Sequence, residues 1–218
     1  MLAGRKRYGM HSVKIFELFP TVVTQTTIGR ELTKEEIDCL SSQDEFGPAV
    51  ANYTSANKYI LDLPALSSLK QDLNKFVQQY VDEIIKPTND LKTYITQSWL
   101  TITEPGRYHH QHNHPNSFLS GVFYLEVESG KDLIAFEDTS YKQISIESKD
   151  WDRLNSPTWK VYVSPGDIVI FPSRLAHSVP NTQTTTNRMS LAFNTFIDGV
   201  IGGYNHLSEL NVQQTNTI

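Results

Sequence analysis

From residue 64 to 85, apolar side chains recur at steps of three and four: Leu66, Leu69, Leu73, Phe76, Val77, Tyr80, Val81 and Ile84. That spacing lays one wide apolar stripe along a helix. Pro64 suits the first turn, where its missing N–H costs nothing, and Pro87 ends the run. Polar residues fill the other positions, so the stripe predicts a helix lying on a sheet. Upstream, Thr33-Lys34-Glu35-Glu36 has capping-box spacing and predicts a short helix over 33–40. VKIFELF (13–19) reads as a first strand, and 41–60 as polar and irregular.

From Tyr94 onward the period shortens to two. TYITQSWLTI, SFLSGVFYLEV, DLIAFED, WKVYV, DIVIF and RMSLAFNTF read as strands. Glu104-Pro105-Gly106, Glu128-Ser129-Gly130-Lys131, Ser164-Pro165-Gly166-Asp167 and Pro180-Asn181 punctuate them. Helices in the first third and strands in the remainder predict a β-rich α+β fold, a sandwich or barrel with helices packed on one sheet. In SFLSGVFYLEV, alternation puts Phe118, Ser120, Val122 and Tyr124 on one face, suited to a partly polar barrel interior. Leu119, Gly121, Phe123, Leu125 and Val127 fall on the other, suited to packing on the long helix. In the last strand Arg188, Ser190, Ala192 and Asn194 face inward, and Met189, Leu191 and Phe193 outward.

Composition narrows the function. The 218 residues fit a single domain: support over 1–93, a core of strands over 94–198, and a tail over 199–218 that reads as unstructured beyond Leu210. Formal net charge is −5, with only Arg5-Lys6-Arg7 as a basic cluster, so nothing draws the chain to nucleic acid. One cysteine, Cys39, allows no internal disulfide and points to a reducing compartment. No apolar run approaches the ~20 residues that span a bilayer, and no signal core opens the chain. The expectation is a soluble cytoplasmic protein, compatible with a homo-oligomer.

Candidate chemistry concentrates in YHHQHNHPNSFLSGVFYL, residues 108–125. His112 and His114 are two apart, so in an extended segment they point the same way. His177 follows, just beyond a strand and a Pro-Ser turn. Two such histidines and a distant third give a cation three ligands on one side and leave positions open, which marks catalysis rather than a structural plug. Imidazole alone does not choose among iron, zinc, copper and nickel. His109 and His110 read as exposed loop residues. Arg188 supplies a planar two-donor fork and Ser190 a hydroxyl, a pair that can hold one carboxylate.

Residues 97–196 resemble the iron(II)/2-oxoglutarate-dependent oxygenases, and are most similar to a branch known from phages and marine bacteria; a phage-encoded chain would work in the host cytoplasm. The resemblance rests on Trp99, His112-Asn113-His114-Pro115, Leu119-Ser120-Gly121-Val122-Phe123-Tyr124, Pro165-Gly166-Asp167, Phe171-Pro172, His177 and Arg188-Met189-Ser190. It implies a double-stranded β-helix, Fe(II) as metal, and 2-oxoglutarate and O2 as co-substrates. By position it implies His112 and His177 as iron ligands, Arg188 and Ser190 as the clamp on the far carboxylate of 2-oxoglutarate, and Tyr124 as a further hydroxyl on it. His114 stands where most of that superfamily has a carboxylate. Its ligation would give a three-histidine site one unit more positive than the usual triad; otherwise water takes that place. The implied reaction is oxidation of a C–H bond, prolyl-hydroxylase-like on a peptide or on a small molecule, with release of succinate and CO2.

Two other readings stay open. Gly106 with His112-x-His114 fits the first motif of metal-dependent cupins, such as thiol dioxygenases or isomerases, but Pro115 to Ser120 lacks the glutamate that motif expects. A non-enzymatic jelly-roll binding protein would leave the order of His177 and Arg188 unexplained. Substrate is not legible. Tyr141, Trp151 and Trp159 in the 138–159 stretch are candidates for the mouth of a pocket, and Asn194 for a place beside the site.

Overall fold

The computed structural model describes residues 14–140 and 144–214. Along the chain lie β1 (Thr24–Thr27), α1 (Lys34–Ser41), β2 (Phe46–Pro48), β3 (Tyr53–Ser55), α2 (Ser67–Tyr80), β4 (Lys92–Thr103) and β5 (His109–His112). β6 (Leu119–Glu126), β7 (Leu133–Glu137), β8 (Thr158–Tyr162), β9 (Asp167–Pro172), β10 (Ala176–Val179), β11 (Arg188–Ile201) and β12 (Leu210–Val212) follow. One sheet has the order β1-β9-β6-β11-β4-β3-β2, with β12 beside β11; the other is β5-β10-β7-β8. From β4 to β11 the chain divides its eight strands equally between the two sheets, and every pairing among them is antiparallel. This is a double-stranded β-helix, the expected fold class.

Two apolar layers hold it together. Val122, Tyr124, Ile134, Phe136, Val169 and Phe171 fill the space between the sheets. Leu119, Phe123, Leu191 and Phe193 face the opposite way and pack on Leu66, Leu69, Leu73 and Val77 of the helical layer. Burying each such leucine fully contributes about 1.5–3 kcal/mol. The alternation therefore predicts both faces of β6 and β11, with two exceptions just outside β6. Val127, expected on the helical side, packs with the residues between the sheets because it follows the strand's last residue, Glu126. Phe118 departs at the other end. Phe118 packs on the helical layer, not inside the barrel, because it precedes the strand and escapes its parity. Gly121 lies opposite Phe193, whose ring tip would come within 2.1 Å of an added Cβ. Only glycine lets that ring cross the strand.

Helix α1 starts as its capping box dictates: the Glu36 amide donates to the Thr33 hydroxyl at 3.2 Å, and the Thr33 amide donates to the Glu36 carboxylate at 2.8 Å. Arg30 then holds both Glu36 oxygens at 2.7 Å and Asp72 of α2 at 2.8 Å, tying the helices together. That bidentate pair holds the Glu36 carboxyl below its usual range.

Several expectations at the periphery need correction. Lys14–Phe19 of VKIFELF forms no strand, and Val13 lies outside the described residues. The stretch 41–60 is not irregular throughout, since β2 and β3 extend the large sheet beyond β4. The tail is ordered through β12, which pairs with Gly199–Ile201; residues 215–218 lie outside the described residues. Ile84 is 42% exposed, because a π turn over Val81–Ile85 widens the helix and takes it out of phase with the stripe. These are short segments whose conformation depends on a partner strand or on the last turn of a helix, and neither leaves a period to read.

Candidate active site

The sheet register brings the scattered site residues into one cavity. β5 and β10 pair side by side, with His112 opposite His177. β11 lies in the facing sheet, its Arg188 opposite Thr103 and its Ser190 flanked by Thr101 and Tyr124. The cavity is lined by His109, His112, His114, His177, Arg188 and Ser190, with Trp99 and Phe171 among its walls.

The ligating atoms of His112, His114 and His177 lie within 4.8 Å of one another. Local hydrogen bonds aim two of these rings. Nδ1 of His112 sits 2.8 Å from the His110 carbonyl, and Nδ1 of His177 sits 3.0 Å from the Leu175 carbonyl. A carbonyl only accepts, so each Nδ1 carries the proton and each Nε2 presents a lone pair. Nε2 of His114 is 3.3 Å from Nε2 of His177. Two nitrogens bound to one cation at about 2.0–2.1 Å lie roughly 2.8–3.4 Å apart at right-angled to tetrahedral geometry. The spacing therefore fits a shared ion.

His114 belongs to a turn, and the turn is clamped to the segment ahead of His177. The His114 amide donates to the Ser173 carbonyl at 2.9 Å, and the Ser173 amide to the Phe118 carbonyl at 3.2 Å. Hydroxyls of Ser117, Ser173 and Ser120 form a chain with 2.8 Å links, ending on Asn194 at 2.9 Å. Asn194 thus acts behind the turn and does not line the cavity. Trp99 covers His114 at 5.8 Å between centroids, and Phe171 meets His177 edge-on at 4.6 Å.

Burial sets the protonation of the cluster. It pushes the pKa of His177 down to about 3 and that of His114 to about 4, with neighbouring His112 adding to both. His112 is lowered too, again mainly by burial. The rings are neutral at pH 7, as metal ligands must be. The folded pKa values lie below the unfolded value of ~6.5, so between the two the unfolded chain holds more protons. Stability carried by these groups is complete above pH ~6.5 and is lost as pH falls toward the folded values. The thermal midpoint of metal-free protein should decline steadily from pH 7 to pH 5; a flat midpoint over that range would contradict buried neutral imidazoles.

At the other end of the cavity Arg188 is 3% exposed. Nη1 donates to the Ser190 hydroxyl at 3.3 Å, and the guanidinium lies 5.2 Å from the Tyr124 ring centre. Its Nε faces the buried Asp132 at 3.8 Å, too long for a hydrogen bond. Asp132, which the sequence reading missed, is held from behind by the Glu128 amide at 2.8 Å. Arg188 Nε, the Tyr124 hydroxyl and the Thr103 hydroxyl are all buried without a hydrogen-bond partner. Burial pushes the Tyr124 pKa up to about 12, so its hydroxyl stays a donor. Orphaned donors around one guanidinium suit a carboxylate, whose oxygens accept several hydrogen bonds.

Position 109 departs from expectation. His110 is exposed as expected, but His109 is half-buried on β5, stacked on His112 with centroids 4.5 Å apart. Burial is the main cause of its pKa falling to about 3, and the charge of Arg188 reaches it as well.

Residues 97–194 match the family model described as "Putative 2OG-Fe(II) oxygenase". The stretch that holds the site is that of a 2OG-Fe(II) oxygenase. Its cofactors are accordingly Fe(II) and 2-oxoglutarate, and the cavity's imidazole cluster and arginine end fit both. No curated protein matches the oxygenase. Among solved structures it is similar in fold to the non-heme alpha-ketoglutarate-dependent carbocyclase SnoK from nogalamycin biosynthesis (15% identity, 83% of this chain and 81% of that one, TM-score 0.56). HygX from Streptomyces hygroscopicus, with nickel, 2-oxoglutarate and hygromycin B bound, matches at 12% identity (80% and 82%, TM-score 0.54). A prolyl hydroxylase from Trichoplax adhaerens, in complex with a hypoxia-inducible-factor peptide fragment, matches at 12% identity (80% and 83%, TM-score 0.52). At such identities the likeness speaks to fold. Among the described residues of the oxygenase, no helix is long and apolar enough to cross a membrane.

Proposed function

We propose that this 2-oxoglutarate-dependent oxygenase hydroxylates a C–H bond of a peptide side chain or a small molecule, with iron held by His112, His114 and His177. The observation that carries this reading is the juxtaposition of three convergent neutral imidazoles with a buried arginine end that has unpaired donors. Bound together, Fe(II) and 2-oxoglutarate supply an O2-dependent oxidation that releases succinate and CO2. The protein's own side chains bind, orient and shield. His110 and Leu175 carbonyls fix the tautomers of His112 and His177. Arg188, Ser190 and Tyr124 take the far carboxylate. Trp99, Phe171 and Val122 give the cavity apolar walls that keep water out.

The substrate side is the groove between the sheet edges at β1 and β8. It encloses about 700 Å³ and is lined by Val23, Phe136, Glu137, Trp159, Arg174 and Ala176 among others. Phe136 separates it from His177 at 6.3 Å. Trp159 supports the expected mouth; Trp151 is exposed and not on this lining, and Tyr141 lies outside the described residues. Arg188 also weighs against a cupin, which has no use for a buried cation opposite the metal.

The reaction is tested by succinate release from anaerobically Fe(II)-loaded protein exposed to O2 with peptides and metabolites; no 2-oxoglutarate turnover with any of them, and no binding of it, would refute the reading. The third ligand is tested by His114→Ala and His114→Asp. The alanine variant is expected to bind iron at least tenfold more weakly, and the aspartate variant to retain it, because a carboxylate restores a two-imidazole, one-carboxylate set. Parent-like iron affinity in both variants would remove His114 from the ligand set.

A further inference from the structure

Four imidazoles line the cavity, and one of them, His109, has no hydrogen-bond partner among the described residues. In a regular strand His109 and His112 would face opposite sides. A bulge changes this: His112 pairs with His177 but His109 pairs with Val179, so His110 and Gln111 together oppose Ser178. The extra residue turns His109 back onto the face of His112. The two rings stack at 18° between planes, and both line the cavity with Arg188.

The register also says where along the cavity His109 lies. β5 and β10 are antiparallel, and beyond Val179 the chain leads on to Arg188 at the start of β11. Stepping from His112 to His109 therefore moves from the metal cluster toward the arginine. Whereas Nδ1 of His112 and of His177 is held by a carbonyl, neither ring nitrogen of His109 hydrogen-bonds to any described residue. The ring is stacked on a ligand, not pointed at the ligands' common centre, and the metal-capable group is His112, His114 and His177.

We propose that His109 is a co-substrate-binding residue that donates a ring N–H to an oxygen at the metal-facing end of 2-oxoglutarate. The far carboxylate has Arg188, Ser190 and Tyr124; beside the metal cluster, His109 is the cavity imidazole whose ring nitrogens no described residue engages. The inference rests on the oxygenase site described above and adds a residue to it.

The test uses His109→Phe, which keeps a flat stacking ring and removes both nitrogens, and His109→Gln, which keeps an N–H donor. Each full-length protein is loaded anaerobically with Fe(II), assayed for iron, and titrated with 2-oxoglutarate while the visible charge-transfer band is followed. His109→Phe should keep about one iron per chain, bind 2-oxoglutarate roughly 10- to 100-fold more weakly, and show a displaced band, as expected for one hydrogen bond to a charged group. His109→Gln should recover part of the affinity. Iron lost from His109→Phe as completely as from His177→Ala would make His109 a ligand and overturn the proposal. So would parent-like affinity and band in the phenylalanine variant, or a glutamine variant no better than phenylalanine. A parent protein without band or binding would instead refute the oxygenase site itself, and this inference with it.

Discussion

Arg188→Ala is expected to abolish 2-oxoglutarate binding at ordinary concentrations while leaving iron in place. The guanidinium is buried and faces the interior with Ser190 at 3.3 Å and the unpartnered Tyr124 hydroxyl beneath it. A charge-assisted bidentate pair in a dry site is hard to replace, and truncating one partner of such a pair costs about 2–5 kcal/mol. At ~1.4 kcal/mol per decade, that is roughly 30- to several-thousand-fold in affinity. The alanine variant also leaves Asp132 without its counter-charge, so its stability should fall as well. Arg188→Lys separates the two effects: it keeps a cation opposite Asp132 but loses the fork, so the fold should hold and 2-oxoglutarate binding should recover only in part. Titration of the anaerobic Fe(II) protein reads both variants. An alanine variant that binds like the parent would assign the co-substrate's far carboxylate to some other residue. A parent that does not bind at all would return the cupin reading.

His177→Ala is expected to lose iron. This residue joins the other two: its Nε2 lies 3.3 Å from that of His114, and its ring centre 4.3 Å from that of His112. Without it, no third described side chain completes a metal-capable group. Changing an outer partner of a metal ligand costs about 10- to 100-fold in affinity, so loss of a ligand itself should exceed about 100-fold. Iron content after dialysis against a fixed Fe(II) concentration measures it, with His206→Ala as a control outside the cavity. Full iron occupancy in His177→Ala would sink the proposed ligand set, whichever reaction the protein catalyses.

Much of the architecture was open to reading along the chain, for local reasons. The capping box at Thr33 and Glu36 needs only neighbours three apart, and it forms as expected. The faces of β6 and β11 follow from alternation, which predicts that Tyr124, Arg188 and Ser190 share the interior while Leu191 and Phe193 pack on α2. Short edge strands were not legible. β2, β3 and β12 exist because an adjacent strand end offers unpaired backbone groups, and three residues carry no period of their own. VKIFELF shows the converse: a strand-forming composition with no strand in Lys14–Phe19.

The sequence by itself determined the residue types of the site, the period that turns Arg188 and Ser190 inward, and the order in which histidines and arginine meet along the barrel. Tertiary structure alone decided which further groups join them. Asp132 reaches Arg188 only because the turn before β7 folds under the start of β11, a contact between segments far apart in the chain. Thr103 enters because the register of β4 on β11 sets it opposite Arg188. His109 enters because one extra residue in β5 relative to β10 reverses its facing. Alternation is a property of one strand, written in its own residues; register and bulges are properties of a pair, settled only when two strands compete for the same hydrogen bonds.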